Sequence, residues 1–291
     1  MGIQEFIPPS GKPAGGNPLA QYFRQPKIYI KLPSEGRFYP PGALDVSQNG
    51  EYAVFAMTAK DELMFKTPDA LMNGQATVEV IKSCIPAIKD PWRMPSIDID
   101  AALIAIRVAT YGEGMEVNAY CPNCDHKNEF NLNLVGYLDG YQGFKYVDQI
   151  VIDPLTVHIR PYSYQESTKA ALKTLEQQKI FNIVNDESLS DEQKIERFGE
   201  SFVKLTELTV DVVANSIVQI DTPEGSVTDK TQILEFVQNA PKEIFGKIND
   251  HVLNIKKSIE LTVKGAECEE CHHKFDMPVT MDQTNFFANG S

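Results

Sequence analysis

A chain of 291 residues is long enough for one large domain or two small ones. Its formal net charge of -13 argues against a sequence-independent grip on DNA or RNA, which depends on Lys and Arg neutralising phosphates. At 42% hydrophobic and 23% charged it has a globular composition, and its apolar runs fall well short of the roughly 20 residues of a membrane span, so a soluble chain made in the cytoplasm is expected.

Residues 1–25 concentrate Pro and Gly in IPPSGKPAGGNP and carry little that could be buried. They read as an extended or disordered N-terminal arm, or as an arm that folds against a neighbouring subunit. Structure is expected from residue 26. Ile28, Ile30 and Leu32 alternate with Lys27, Tyr29 and Lys31, the period of a half-buried strand. Pro33, Gly36, Pro40, Pro41 and Gly42 then force turns. Tyr52 to Met57 reads as a second strand, and Thr58 with Asp61 marks a helix start. Helices are expected over 76–85 and 98–110. The second of these is apolar on most sides and should be buried.

The stretch GMEVNAYCPNCDHKNEFNLNLV reads as strand, tight turn, strand, with Cys121 and Cys124 in the turn. GYLDGYQGFKYVD, rich in Gly and Tyr, reads as a connector. The pattern then starts again. Asp153-Pro154 separates two short strands, and Leu155, Val157 and Ile159 alternate in the second. Helical signals run from about 165 to 184. Ser190 with Gln193 forms a capping box ahead of Ile195, Phe198, Phe202 and Leu205 at helical spacing. Asp229 with Gln232 caps a further helix, and Pro241 suits the first turn of another. Ile244, Ile248, Val252, Ile255 and Ile259 form the apolar stripe of that last helix. IELTVK is a strand leading into Cys268 and Cys271. VFAMTAKDE echoes VHIRPYSYQE, and MEVNAYCPNC echoes LTVKGAECEEC. The expected architecture is α+β, with short antiparallel strands, zinc-knuckle hairpins and several helices. The halves, residues 26–145 and 146–291, are weakly related and would be joined by one zinc.

Zinc enters through Cys121, Cys124, Cys268 and Cys271. A CxxC turn points two thiolates at one tetrahedral ion, and two turns complete a shell with sulfur at about 2.3 Å and no open position. Such a site holds a shape. Metal-free thiols, disulfides and two separate metal sites are the competing readings. His126, His272 and His273 lie beside the pairs and could substitute, but four cysteines already fill the shell. Cys84 reads as an ordinary buried thiol. No GxSxG, HExxH, GxxxxGK[ST] or GxGxxG occurs, and His158 and His251 stand isolated, so no catalytic site is legible.

KLPSEGRFYPPG and the following VFAMTAKDELMFKTPDALMNG resemble the base plate hub proteins of T-even-like contractile-tailed bacteriophages. The likeness rests on Leu32, Pro33, Ser34, Gly36, Phe38, Tyr39, Pro40 and Gly42 in the turn. Met57, Thr58, Asp61 and Glu62 extend it to the helix start. It covers roughly residues 26 to 125, with the general layout running to the end, and the distant CxxC pairs fit it.

The resemblance implies a non-enzymatic virion component of the tail base plate, in a symmetric multi-subunit assembly. Its partners would be other hub proteins, spike proteins and the tape-measure protein. An assembly chaperone not retained in the virion is the alternative the family leaves open. A zinc-ribbon nucleic-acid adaptor is disfavoured by Asp125, Glu129, Glu267, Glu269 and Glu270 beside the cysteines. Phe38 and Tyr39, and Phe286 and Phe287 near the end, are the candidate partner-binding aromatics.

Overall fold

The computed structural model describes residues 19, 22–65, 74–142, 145–169, 171, 190–259, 262–278 and 287. Residues 1–18, 20 and 21 of the arm, residues 170 and 172–184 of the expected 165–184 helix, and Phe286 lie outside the described residues.

Strand β1 (Pro26–Lys31) pairs antiparallel with β2 (Glu51–Phe55). Helices α1 (Ala59–Phe65), α2 (Gln75–Cys84) and α3 (Ser96–Tyr111) follow. From Ile97 to Ala109 every residue of α3 except Asp100 is buried, as its apolar residues on nearly every side require. It is the central post of the first core.

The Pro/Gly-rich loop between β1 and β2 owes its path to left-handed residues. Glu35, Gly36, Phe38 and Gly42 have φ of 56, 79, 70 and 81°. A Cβ on Gly36 would also lie 3.2 Å from the Tyr52 hydroxyl, so this position needs glycine twice over. The loop is tied to the first turn of α3 through Asp98. The Ser34 amide and hydroxyl donate to its carboxylate at 2.7 and 2.5 Å, and the Tyr39 hydroxyl adds a third bond at 3.0 Å.

Burial pushes the Asp98 carboxyl up to about 6, although the bonds from Ser34 and Tyr39 favour the charged form. The native state therefore binds this proton more tightly than the unfolded chain. The group's contribution to stability rises as pH falls through about 6 toward the ordinary carboxylate range, and is lost as pH rises again. Thermal unfolding of wild type and Asp98→Asn across that window is expected to show wild type gaining relative to the variant on acidification. Parallel curves would refute the assignment. The comparison cancels every other titrating group.

Strands β3 (Gly114–Tyr120) and β4 (Lys127–Asn133) form the first long hairpin, in register from Gly114 opposite Asn133 to Tyr120 opposite Lys127. Helix α4 (Leu134–Gln142) occupies the stretch expected to be a connector. Leu134, Leu138 and Tyr141, at i, i+4 and i+7, are buried, and that packing outweighs the helix-weakening effect of Gly136 and Gly140.

Next, β5 (Gln149–Ile152), β6 (Leu155–Ile159), β7 (Ile217–Thr222) and β8 (Gly225–Val227) make an antiparallel sheet in that order. Between β6 and β7 runs α5 (Asp191–Ser216), opened by the expected Ser190–Gln193 capping box. Along it, Ile195 and Phe202 are exposed among the described residues, while Val213, Ala214 and Ser216 at its far end are buried. Asp229 caps α6 (Lys230–Asn239) by accepting from the Thr231 and Gln232 amides. Helix α7 (Lys242–Ile259) then leads to β9 (Thr262–Glu267), which pairs with β10 (Lys274–Pro278). The molecule is a mixed α+β structure.

Two apolar clusters form. One runs from Ile30 to Tyr146 and takes in Phe287; the other runs from Ile152 to Ile248. Helix α7 spans both, with Ile248 and Val252 in the second and Ile255 against the first. The stripe read from the sequence thus serves two cores in succession.

One local capping arrangement occurs twice along the chain. Thr58 and Asp61 bond reciprocally at the start of α1, with Thr58 N to Asp61 Oδ2 at 2.8 Å and Asp61 N to Thr58 Oγ1 at 3.3 Å. Ser163 and Glu166 repeat the pattern after β6, at 2.8 and 3.3 Å. Each capping carboxylate meets an arginine: Arg24 at 3.4 Å from Asp61, and Arg160 at 2.6 Å from Glu166. Arg24 is held further by the Ser83 carbonyl and hydroxyl, both at 2.7 Å, so this end of the expected arm is docked beneath α2.

Candidate metal centre

Both CxxC turns sit at the tip of a two-stranded hairpin, and the two turns have the same backbone. In the first, the Cys121 amide donates to the His126 carbonyl and the Asp125 amide to the Cys121 carbonyl, both at 2.9 Å. In the second, the Cys268 amide donates to His273 and the His272 amide to Cys268, both at 3.0 Å. The residue after each second cysteine, Asp125 or His272, is left-handed, with φ of 58 and 56°. That twist curls the chain back so that both sulfurs of a turn face the same side. The hairpins meet through Phe130 and Phe275, edge to face with centroids 6.3 Å apart.

The four sulfurs converge. All four Sγ atoms lie within 4.8 Å of one another. Cys121 is 3.6 Å from Cys271, and Cys124 is 3.6 Å from Cys268, so each turn's first cysteine faces the other turn's second. Sulfurs bonded to each other would be about 2.05 Å apart. Sulfurs around a tetrahedral ion at about 2.3 Å would be about 3.8 Å apart. The observed spacing matches a shared ion and excludes disulfides, and all four are free thiols. The residues present therefore fit a single cation of tetrahedral preference.

The electrostatics favour ionised sulfur on the second turn. Burial opposes charge on Cys268, yet the amides of Cys271 and Glu270 outweigh it and bring the thiol down to about 6. Cys271 is lowered too, first by the His273 amide. Cys124 receives help from the His126 amide, but its sulfur neighbours, led by Cys271, push it up to about 12. Four close sulfurs cannot all be charged unless a cation balances them, and a bound ion would do so. Asn123 adds an amide bond to Cys121 Sγ at 3.4 Å and a side-chain bond to Cys271 Sγ at 3.7 Å.

The histidines beside the turns stand outside this set. His272 Nδ1 is 3.2 Å from Glu267, and the His273 ring stacks on Phe275. Asp125, Glu129, Glu267, Glu269 and Glu270 are exposed around the turns, and their charge repels phosphate. The isolated histidines have local partners: His158 lies 2.7 Å from Asp221, and His251 lies 3.0 Å from the Val147 carbonyl. Cys84 is buried, and burial raises its thiol to about 12.

The aromatic candidates engage the chain itself. Phe38 packs edge to face on Tyr146, Tyr39 bonds Asp98, and Phe287 stacks on Phe65 at 4.5 Å. Sequence reasoning missed Asn128, which is fully buried between the two turns. Nothing in NEFNLN marks it, because its partner lies 141 positions away.

Fold and site together define a class: an α+β protein whose middle and C-terminal hairpins close around one four-cysteine centre. A family model for the T4 bacteriophage base plate protein matches residues 26–288, nearly the whole chain, and the chain belongs to that family. The family supports a structural role in the phage tail base plate, in assembly with other tail proteins. No curated protein matches the chain, and no solved structure does. No helix among the described residues is long and apolar enough to cross a membrane.

Proposed function

We propose that this chain is a structural subunit of the central hub of the base plate, carried in the virion. One zinc held by Cys121, Cys124, Cys268 and Cys271 fastens its C-terminal hairpin to its middle. The convergence of four sulfurs from two distant segments carries this reading. When bound, the ion would neutralise the sulfurs and cross-link the chain; a closed four-thiolate shell offers no position for water or substrate. Function then resides in surfaces and contacts rather than in catalysis. The partners are other hub proteins, spike proteins and the tape-measure protein, arranged symmetrically. Residues 26–145 and 146–291 are its two halves, and Phe38, Tyr39, Phe286 and Phe287 are its candidate contact aromatics.

Quantitative peptide mass spectrometry on purified particles, set against the lysate that produced them, tests the proposal. A few fixed copies per particle are expected. Abundance in lysate with absence from particles would make the chain an assembly chaperone. A chain that follows neither tails nor tail precursors would overturn both readings and return attention to a nucleic-acid adaptor.

A further inference from the structure

The two cysteine turns match in backbone, but their surroundings do not. From the first hairpin, Asn128 reaches across to the second. Its Nδ2 donates to the His126 carbonyl of its own turn at 3.0 Å, and its Oδ1 accepts from the Glu269 amide of the other turn at 2.8 Å. Only one orientation of the amide satisfies both bonds. The side chain has no exposed surface, so its own polar atoms have no ready solvent partner if either bond breaks. His126 O also accepts from the Cys121 amide, and Glu269 directly follows the ligand-positioned Cys268. Asn128 therefore touches the backbone of both turns at the residues that aim their sulfurs. Asn123 adds to the same asymmetry, since its side chain points from the first turn to the sulfur of Cys271.

We infer that Asn128 is the positioning residue of the centre, a bracket that sets the spacing of the two turns and so the affinity and geometry with which one metal ion is held. The inference rests on the shared-ion reading of the four cysteines. A chain that must bring together turns 144 positions apart loses much conformational freedom on doing so. A polar bracket that holds the turns in place before the ion arrives moves that cost out of the binding step. Aspartate at 128 keeps the acceptor for Glu269 but cannot donate to His126. Alanine loses both bonds, leaving the Glu269 amide without this acceptor and the His126 carbonyl with the Cys121 amide as its donor.

The test is a zinc competition titration of the full-length protein against a chromophoric chelator, for wild type, Asn128→Ala, Asn128→Asp and the control Asn118→Ala. Asn118 is exposed on the neighbouring strand. Removing groups that orient metal ligands typically costs about 10–100-fold in affinity. A loss of that size is expected for Asn128→Ala, a smaller one for Asn128→Asp, and none for Asn118→Ala. The cobalt(II)-loaded proteins are compared by their visible d–d bands, which report ligand geometry and would not move if Asn128 only filled space. The bands are expected to shift in Asn128→Ala and to move part of the way back in Asn128→Asp. Should Asn128→Ala fail to fold, Asn128→Asp decides by the same two readouts. Unchanged affinity and unchanged bands in a folded variant would overturn the role of Asn128 alone. A wild-type protein that binds neither zinc nor cobalt would instead overturn the shared-ion reading beneath it.

Discussion

Replacing Cys268 by serine is expected to empty the metal centre and to lower the midpoint of thermal unfolding by about 10–20 °C, the scale set by several kcal/mol lost from a domain of this size. Structural zinc binding is worth about 10–16 kcal/mol in finger peptides at neutral pH, comparable with the whole stability of an ordinary domain. Part of that is offset in the metal-free chain, whose two apolar clusters remain. The geometry makes the loss large here, because Cys268 is fully buried and its sulfur faces Cys124 at 3.6 Å. Serine would place a poorly ionised hydroxyl in that position. Beyond the centre, the contacts of β9 and β10 with the rest among the described residues include Phe275 on Phe130, Val263 against the first core, and the Glu269 amide on Asn128. A two-stranded hairpin is marginal on its own. Elemental analysis of the purified protein is expected to fall from one metal per chain to near none, and protease nicking should concentrate after α7. Cys121→Ser should behave alike. Full metal content with an unchanged midpoint in both variants would remove the shared centre from the account of stability.

The second large effect is expected at Asp98→Ala, with a loss of about 2–5 kcal/mol in denaturant unfolding, since buried donors left without acceptors cost about 1–3 kcal/mol each. Ser34 is fully buried, and both its amide and its hydroxyl end on Asp98. Their loss would free the Pro33–Gly42 loop, where four residues hold left-handed φ that this tether helps to impose. Asp98→Asn should be far milder. It keeps an acceptor for the Ser34 amide, and the Ser34 and Tyr39 hydroxyls can turn to accept from its NH2. Equal destabilisation by Ala and Asn would show that the charge, rather than the bonds, holds the loop.

The loop also shows how far the sequence reads. Its turns were legible from Pro33, Gly36, Pro40, Pro41 and Gly42, because proline fixes φ and glycine tolerates positive φ whatever surrounds them. The need for serine at 34 and tyrosine at 39 was legible only as resemblance. Its cause, a carboxylate 64 positions from Ser34, is set by tertiary packing. Helix caps were readable for the same local reason: Ser190 with Gln193, Asp229 with Gln232 and Thr58 with Asp61 all act within one turn. Helix α4 and the β7–β8 hairpin were not: α4 forms despite its glycines because Leu134, Leu138 and Tyr141 are buried, and β8 is only three residues long.

At the centre the division is equally physical. CxxC spacing alone determined that each pair of sulfurs points one way, and the composition and cap signals alone determined an α+β chain. Only the tertiary structure decided that the two pairs share one site, that Cys121 faces Cys271 rather than Cys268, and that Asn128 lies between the turns. Spacing within a turn is fixed by a few backbone dihedrals. The meeting of two turns 144 positions apart depends on the summed packing of every element between them.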